Sequence, residues 1–370
     1  MLKIIIVVGT RPDIVRLCEV IKKCKKYFNA LLVHTGQNYD YNLNDVFFDD
    51  FDLEKPDIYL NINNTNCGIA VGETISKTYD LFQKENPDCI LILGDVNSAL
   101  CSYSAKRLKI PIFHIEGGNR SFDPHVPEEI NRKIIDHLSD VNICYMEHSR
   151  QYLLKENTKP QYTFVCGSPI TEVLHTIRHK VENSTILEKL NIEKDNFFVW
   201  SVHRENNVDD ETNFAEMIYS INKLSETFQK KVVFGIHPRT RKKCIEKNIT
   251  FDENKIILTE PFGIVDYYKL LQNCCCVISD SGTISEESNI LPCKAILLRS
   301  STEHPEAVDY GNIILANIQW KYLKISLDII IDMNINKKRN PCYTDSNFSE
   351  KVIKIIAGYP SIVNKYNWLK

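Results

Sequence analysis

Short apolar runs rich in β-branched residues recur along this chain, and most are followed by a stretch with helical periodicity. In the first half these runs are KIIIVVG, NALLVHTG, DCILILGD, IPIFHIEG, DVNICYM and YTFVCGS. Amphipathic patterns such as RPDIVRLCEVIKKCKKYF and IAVGETISKTYDLFQKE separate them. The runs are apolar at successive positions, so both faces of each strand must be buried. That condition is met when helices cover both sides of a parallel sheet. The pattern then restarts with NFFVWSVH, KKVVFGIHP, KIILTEP, CCCVISD and CKAILLRS. The expected fold is α/β, with two Rossmann-like doubly wound domains over 1–170 and 196–345 and a charged linker helix over 171–195. Residues 346–370 read as two short helices expected to cross back to the first domain. A length of 370 residues, 43% of them apolar, suits two cores of this size.

Several function classes fall away. The net charge is −3 and no basic block stands out, so no nucleic-acid partner is expected. The apolar runs are too short to span a bilayer, so no membrane partner is expected. The opening MLKIIIVVGTRP reads as a first strand and is not expected to be a leader, because its apolar stretch is short and runs straight into Gly-Thr-Arg-Pro. Thirteen cysteines without a C-x-x-C pair read as small buried thiols of a reducing, cytoplasmic setting, with no metal site. The triple Cys274–Cys276 reads as part of a buried strand.

Ligands of open parallel sheets bind beyond the carboxyl ends of the strands. The polar residues collect there: Arg11 after the first strand, Asp95 and Glu116 after later ones, His203 and Asp280 in the second half. Ser281-Gly282-Thr283 opens a helix, whose unpaired N–H groups attract phosphate, and Glu287 follows at a spacing that suits ribose hydroxyls. Neither a G-x-G-x-x-G after the first strand nor a P-loop is present, which disfavours nicotinamide chemistry and P-loop hydrolysis. ILGDVNS and ISDSGT, both ending a strand in Asp, are alike, as any two doubly wound domains would be.

HIEGGNRSFDPHVPEEINR, residues 114–132, concentrates ionisable side chains where a strand gives way to a helix. Pro127 fits the first helical position, and Glu129 falls in the first turn, where the macrodipole favours acids. Glu116 is harder to explain, because it ends a buried strand and a carboxylate there is costly without a partner. Carboxylates gathered near one site, with His203 opposite, can raise each other's pKa and divide acid and base roles.

GTRPDIVRL, LGDVNSAL, HIEGGNR, PEEINR, SVHRENN, DSGTISEES and STEHPEA occur in order. Together they resemble the non-hydrolysing UDP-N-acetylglucosamine 2-epimerase family along nearly the whole chain. HTGQNYDYNLNDVFF, VCGSPITEVL and DSGTISEES look most like its UDP-N-acetyl-L-fucosamine synthase branch, which inverts carbon 2 of UDP-2-acetamido-2,6-dideoxy-L-talose for capsule or O-antigen precursors. The resemblance implies a glycosyltransferase-B-type pair of domains with UDP in the cleft between them. It also implies elimination of UDP to a 2-acetamidoglycal and re-addition, without cofactor or metal, in a homodimer. By motif, Asp95, Glu116 and Glu128 match the acid/base carboxylates and His203 the phosphate-side histidine. Arg11, Arg16, Tyr267, Ser281, Gly282 and Glu287 match the UDP-sugar contacts.

Three positions depart from the family pattern. Arg16 stands where many members have Lys, which keeps the charge but not the geometry. His304 stands in TEHPEA where Arg is usual, which weakens the expectation of a phosphate contact there and points to pH-dependent UDP binding. EGGN replaces the commoner EAGL or EAGN, and the extra glycine is expected to loosen the turn beside Glu116. The rivals are an epimerase of UDP-N-acetylglucosamine, hydrolysing or not, a glycosyltransferase on the same fold, and a nucleotide-sugar sensor, which would have no use for three acid/base carboxylates.

Overall fold

A computed structural model describes residues 1–36, 51, 53–333 and 340–370, with the backbone alone at 205 and 206. Most of HTGQNYDYNLNDVFF, from Gln37 on, lies outside the described residues. Among the described residues thirteen strands form two parallel sheets. The first holds β1 (Lys3–Val8), β2 (Asn29–His34), β3 (Ile58–Tyr59), β4 (Cys89–Leu93), β5 (Ile112–Ile115), β6 (Val141–Cys144) and β7 (Thr163–Val165), in the order β3-β2-β1-β4-β5-β6-β7. The second holds β8 (Phe197–Ser201), β9 (Lys231–Gly235), β10 (Ile256–Thr259), β11 (Cys276–Ser279), β12 (Ala295–Leu297) and β13 (Ile313–Leu315), in the order β10-β9-β8-β11-β12-β13.

Both sheets follow the doubly wound rule, and every strand pair is parallel. The strand order reverses at β1/β4 in the first sheet, where Ile4–Val7 align with Cys89–Ile92. It reverses at β8/β11 in the second, where Phe198–Ser201 align with Cys276–Ser279. A crevice opens at such a reversal, because the two following connections leave toward opposite faces. The fold therefore creates one ligand-ready position in each unit.

Each sheet has its own core. Ile5, Val7, Ile90, Ile92 and Ile112 meet Phe82 and Ile135 from the covering helices in the first. Trp200, Phe234, Ile278 and Ile296 meet Met217, Ile221 and Leu224 in the second. Each such side chain contributes about 1.5–3 kcal/mol by leaving water. The chain divides into one unit of Met1–His175 with Asp345–Lys370 and another of Thr176–Thr344. The first division falls inside the helix Pro169–Glu182. The C-terminal helix, Phe348–Val363, packs on the helix Arg11–Tyr27, and the Glu172 carboxylate accepts hydrogen bonds from its Ser349 N–H (2.8 Å) and hydroxyl (2.6 Å).

Two sequence expectations need correction. The chain end is not two short helices: a single helix runs through Pro360 to Val363 and widens into a π-turn at Asn364–Trp368. Proline usually breaks a helix, and here the buried face of Phe348, Val352, Ile356 and Pro360 itself outweighs the lost hydrogen bond. The cysteine triple straddles a boundary, since the helix Ile264–Asn273 ends at Cys274 and only Cys276 lies in β11. The short strands β3 and β13, of two and three residues, carry too little periodicity to be read from sequence.

Candidate active site

In the first unit the chain leaves β5 at Ile115 and turns at Glu116, whose φ is +74°. A side chain in that region costs about 1–3 kcal/mol and persists only where its surroundings over-determine it, commonly at functional sites. The surroundings here are specific. The Glu116 carboxylate accepts hydrogen bonds from the Tyr145 hydroxyl (3.2 Å) and the Asn119 amide (3.1 Å). The Arg16 guanidinium lies 3.8 Å from the same carboxylate and donates to the Tyr145 oxygen at 3.2 Å. Arg16, matched by motif to the UDP-sugar contacts, thus sits buried beside a candidate acid/base group.

The glycine pair after Glu116 does not loosen the turn. A methyl at Gly117 would stand 3.0 Å from Asn142 Oδ1, and one at Gly118, where φ is +82°, would stand 2.3 Å from the Ser149 carbonyl oxygen. The turn is pressed against its neighbours, and glycine is what fits.

Asp95 follows Gly94 at the end of β4. Its carboxylate accepts from Arg132 Nε at 2.7 Å, and its carbonyl accepts from the Asn131 amide at 2.8 Å. Arg11 begins the helix that follows β1. Asp13, in its first turn, accepts from the Gly9 and Thr10 N–H groups at 2.9 Å each. Burial pushes the Asp13 carboxyl up to about 6 against those hydrogen bonds, and the negative charge of Asp95 adds to the rise. Asp13, which sequence reasoning passed over, thus stands near Asp95 at this strand reversal.

Glu128 and Glu129 divide sharply. Glu128 is exposed at the first position of the helix Glu128–Leu138. Glu129 is buried, and it is a clasp and not merely a favourable charge at a helix start. It accepts from the Ser121 N–H (3.1 Å), the Ser121 hydroxyl (3.1 Å) and the Phe122 N–H (3.3 Å), and pairs with Arg132 at 2.9 Å. Burial raises its pKa, but the Ser121 N–H and Arg132 together hold the carboxyl below its usual value. Arg132 thus ties the Asp95 loop to the Ser121–Phe122 loop, a link that the i, i+3 spacing in EEINR could have suggested.

In the second unit Asp280 follows β11 and is fully buried. It accepts from the N–H groups of His203 (3.0 Å) and Arg204 (2.8 Å) and from the Asn207 amide (2.9 Å). These bonds fix the start of the 203–208 segment and hold the His203 imidazole at the end of β8. The His203 ring stacks on His237 with centroids 5.8 Å apart. Burial first, then the neighbouring His203 and Arg239, lower the His237 pKa, and its Nδ1 accepts the Arg239 N–H at 3.3 Å.

Trp200, His203, His237, Phe262, Tyr267 and Ser281 line a pocket of about 230 Å3. It combines aromatic faces with the start of the helix Thr283–Ile290, and so suits a planar base carrying an anion. A methyl at Gly282 would stand 3.2 Å from Glu303, which pairs with Arg299 at 2.7 Å. Glu287 is buried on the same helix. Burial, then the charge of Glu287, raise the Tyr267 phenol well above its usual value, so these two predicted residues are neighbours. His304 is buried with Nδ1 3.2 Å from Glu306, which Tyr343 also contacts. Burial alone would lower its pKa, but Glu306 raises it to about 9.

A second cavity, about 400 Å3, lies at the amino ends of β6 and β7 beside Lys106, Asp140, Lys159 and Trp368, and holds none of the predicted residues. Among the described residues no helix is long and apolar enough to cross a membrane, and no cluster of three or more His, Cys, Asp or Glu side chains is arranged for a metal ion.

Comparison with known proteins agrees with this architecture. Residues 22–357 match the family model for UDP-N-acetylglucosamine 2-epimerase. The solved UDP-N-acetylglucosamine 2-epimerase from Rickettsia bellii is 39% identical and superposes with a TM-score of 0.90, covering 100% of both chains. The Methanocaldococcus jannaschii UDP-GlcNAc 2-epimerase, solved with UDP-GlcNAc and UDP, is 31% identical with a TM-score of 0.88, covering 96% of this chain and 99% of that one. A Pseudomonas aeruginosa UDP-2,3-diacetamido-2,3-dideoxy-D-glucuronate 2-epimerase is 30% identical over 85% of this chain and 88% of its own length. The sheet order, the pocket at β8/β11 and these matches over nearly the full length place the chain in the UDP-N-acetylglucosamine 2-epimerase family, a family of isomerases.

Proposed function

We propose that this protein inverts carbon 2 of a UDP-2-acetamido sugar in the cytoplasm. A carboxylate of the first unit removes the carbon-2 proton while the bond from carbon 1 to UDP breaks, giving a 2-acetamidoglycal and free UDP. Re-addition of UDP, with a proton delivered to the opposite face of carbon 2, completes the inversion. Asp95, Glu116 and Glu128 handle the protons. Arg11, His203, Ser281 and Gly282 meet the charge on the departing diphosphate, and Tyr267 and Glu287 hold the nucleoside. The carbon-2 proton is weakly acidic, so stabilising the leaving diphosphate matters as much as the base. The observation that carries this reading is the Glu116 carboxylate, kept in a left-handed backbone conformation beside Arg16, Tyr145 and Asn119.

For the sugar, the branch-specific motifs support UDP-2-acetamido-2,6-dideoxy-L-talose, giving UDP-N-acetyl-L-fucosamine for capsule or O-antigen precursors. The names of the Rickettsia and Methanocaldococcus relatives favour a second reading, UDP-N-acetylglucosamine. A pocket built for a methyl at carbon 6 offers a hydroxyl no partner, and burying it unpaired is costly. Incubation with each UDP-sugar, followed by NMR of the products, separates the two. The first reading expects kcat/KM about tenfold or more higher for the 6-deoxy sugar, and the opposite order selects the second.

The working form is proposed to be a homodimer. Ile130 (64% exposed) and Ile134 (43%) lie on the helix Glu128–Leu138, which packs on the Ser102–Arg107 helix bearing the exposed Tyr103. Sedimentation equilibrium of the wild type and of Ile130→Glu tests this, with a dimer expected for the first and a monomer for the second.

A further inference from the structure

A chain of paired charges runs behind the Glu116 turn. The Glu156 carboxylate receives Arg120 in a bidentate pair at 3.0 and 2.7 Å, and Arg120 also donates to Asp136 at 2.7 Å. Asp136 lies 2.9 Å from His114 Nδ1, and its carboxylate accepts the Gly118 N–H at 3.1 Å. The other ring nitrogen of His114 lies 2.9 Å from the Gly94 carbonyl oxygen. His114, Arg120 and Asp136 are each 1% exposed.

A neutral imidazole offers one donor and one acceptor. A carbonyl oxygen and an ionised carboxylate both only accept. His114 meets one of each, so both ring nitrogens must carry protons, and the ring is an imidazolium. Burial opposes that charge, but the Asp136 hydrogen bond and charge, the Gly94 carbonyl and the nearby Glu116 together raise its pKa. Asp136 is held ionised by the same partnership with His114 and Arg120 despite its burial.

The connections matter more than the charge alone. Gly94 immediately precedes Asp95. Gly118 lies two residues after Glu116. One imidazolium thus grips the backbone before one candidate acid/base residue directly, and through Asp136 it grips the backbone after the other.

We infer that His114 is a positioning residue for the epimerisation: as a doubly donating imidazolium it fixes the Gly94–Asp95 and Glu116–Gly118 turns in mutual register, with Asp136 as its second hand. The inference rests on the reading that Asp95 and Glu116 handle protons at carbon 2. Misplacing an acid/base group by an ångström costs about a hundredfold in rate. The nucleotide-side residues His203, Tyr267, Ser281 and Glu287 belong to the other unit, and their grip on UDP does not involve His114.

The test takes the full-length wild type and His114→Gln, whose amide has one donor group and cannot serve two acceptors on opposite sides. Wild-type turnover of the UDP-sugar is measured first; its absence removes the proposed function and leaves the protonation question standing. With turnover present, folded His114→Gln is expected to lose about tenfold to a hundredfold in kcat, with UDP affinity within about twofold of wild type. An unchanged kcat, or a loss matched by the loss of UDP affinity, overturns the inference. Should the variant not fold, selective 15N-histidine NMR of the wild type decides. Followed across pH, the His114 ring should keep both protons to higher pH than an ordinary histidine, and a ring that is neutral where ordinary histidines are still charged overturns the inference.

Discussion

Asp95 and Asp280 occupy the same place in two sheets of the same design, and they are used in opposite ways. Each follows a central strand at the point where strand order reverses. The Asp95 side chain keeps 21% exposure and faces Arg132, itself shared with Glu129. The Asp280 side chain has no exposure, and its oxygens accept from the His203 and Arg204 N–H groups and the Asn207 amide. One aspartate is held by charge with an edge open to solvent, and the other is a structural pin. The difference extends to their surroundings. The reversal in the first sheet is ringed by Arg16, Arg132, Asp13, Glu116 and a strained turn, the setting proposed for moving protons. That in the second sheet offers stacked imidazoles, aromatic faces and a helix start, the setting proposed for holding a nucleotide. A shared fold supplies the position, and the residues around it decide whether the position reacts or binds.

The contrast can be broken at four points. Glu116→Gln keeps the size of the side chain and its capacity to accept from Tyr145 and removes its acid/base function. Steady-state turnover should fall by about a hundredfold or more, with UDP affinity kept as judged by calorimetry. Glu129→Gln should behave differently, because it replaces a buried carboxylate that clasps Arg132 and two N–H groups. Chemical denaturation should report a loss of about 2–4 kcal/mol, and activity should follow the folded fraction. Were Glu129→Gln as stable as wild type, the clasp would be ruled out and the simple helix-start reading restored.

Asp280→Asn should cost about 1–3 kcal/mol and weaken UDP binding, since His203 loses its anchor; Asp95→Asn should lower turnover while UDP still binds. Equal effects of the two substitutions on UDP affinity would erase the distinction between them. The smallest expected effect is on pH. The His304 pKa is raised from 6.5 to about 9 by Glu306, with Glu286 and Glu303 also facing it and Tyr343 against the same Glu306. A raised folded-state pKa means that the stabilisation is complete below about 6.5 and is lost as pH rises through about 9. Melting temperature should therefore decline across that window in the wild type and more shallowly in His304→Gln.

Strand alternation made the two sheets legible, because strands buried on both faces must be apolar throughout, as β4 is from Cys89 to Leu93. The ends of those strands were legible too, since polar residues directly after apolar runs mark where ligands bind. Partnership was not legible. Glu128 and Glu129 are adjacent and chemically alike, yet one is exposed and the other clasps a loop eight residues upstream. Tyr145 reaches Glu116 across 29 positions, and Arg16 reaches Tyr145 across 129. His114 sat inside a strand, where alternation marks a side chain as buried but says nothing of what it bonds. Such contacts depend on register and backbone angle, as with the left-handed Glu116, and no local pattern announces them.

The central claim is that Glu116 belongs to the machinery that moves the proton at carbon 2, and the solvent isotope at that carbon reports on it directly. The wild type and Glu116→Gln are incubated in deuterium oxide with UDP-N-acetylglucosamine and with UDP-2-acetamido-2,6-dideoxy-L-talose, and the recovered sugars are read by proton NMR and mass spectrometry. The wild type should place one deuterium at carbon 2 of the inverted product of its preferred substrate, and Glu116→Gln should slow that incorporation by about a hundredfold while still binding UDP. Inverted product without deuterium at carbon 2, or equal incorporation by both proteins, would contradict the account.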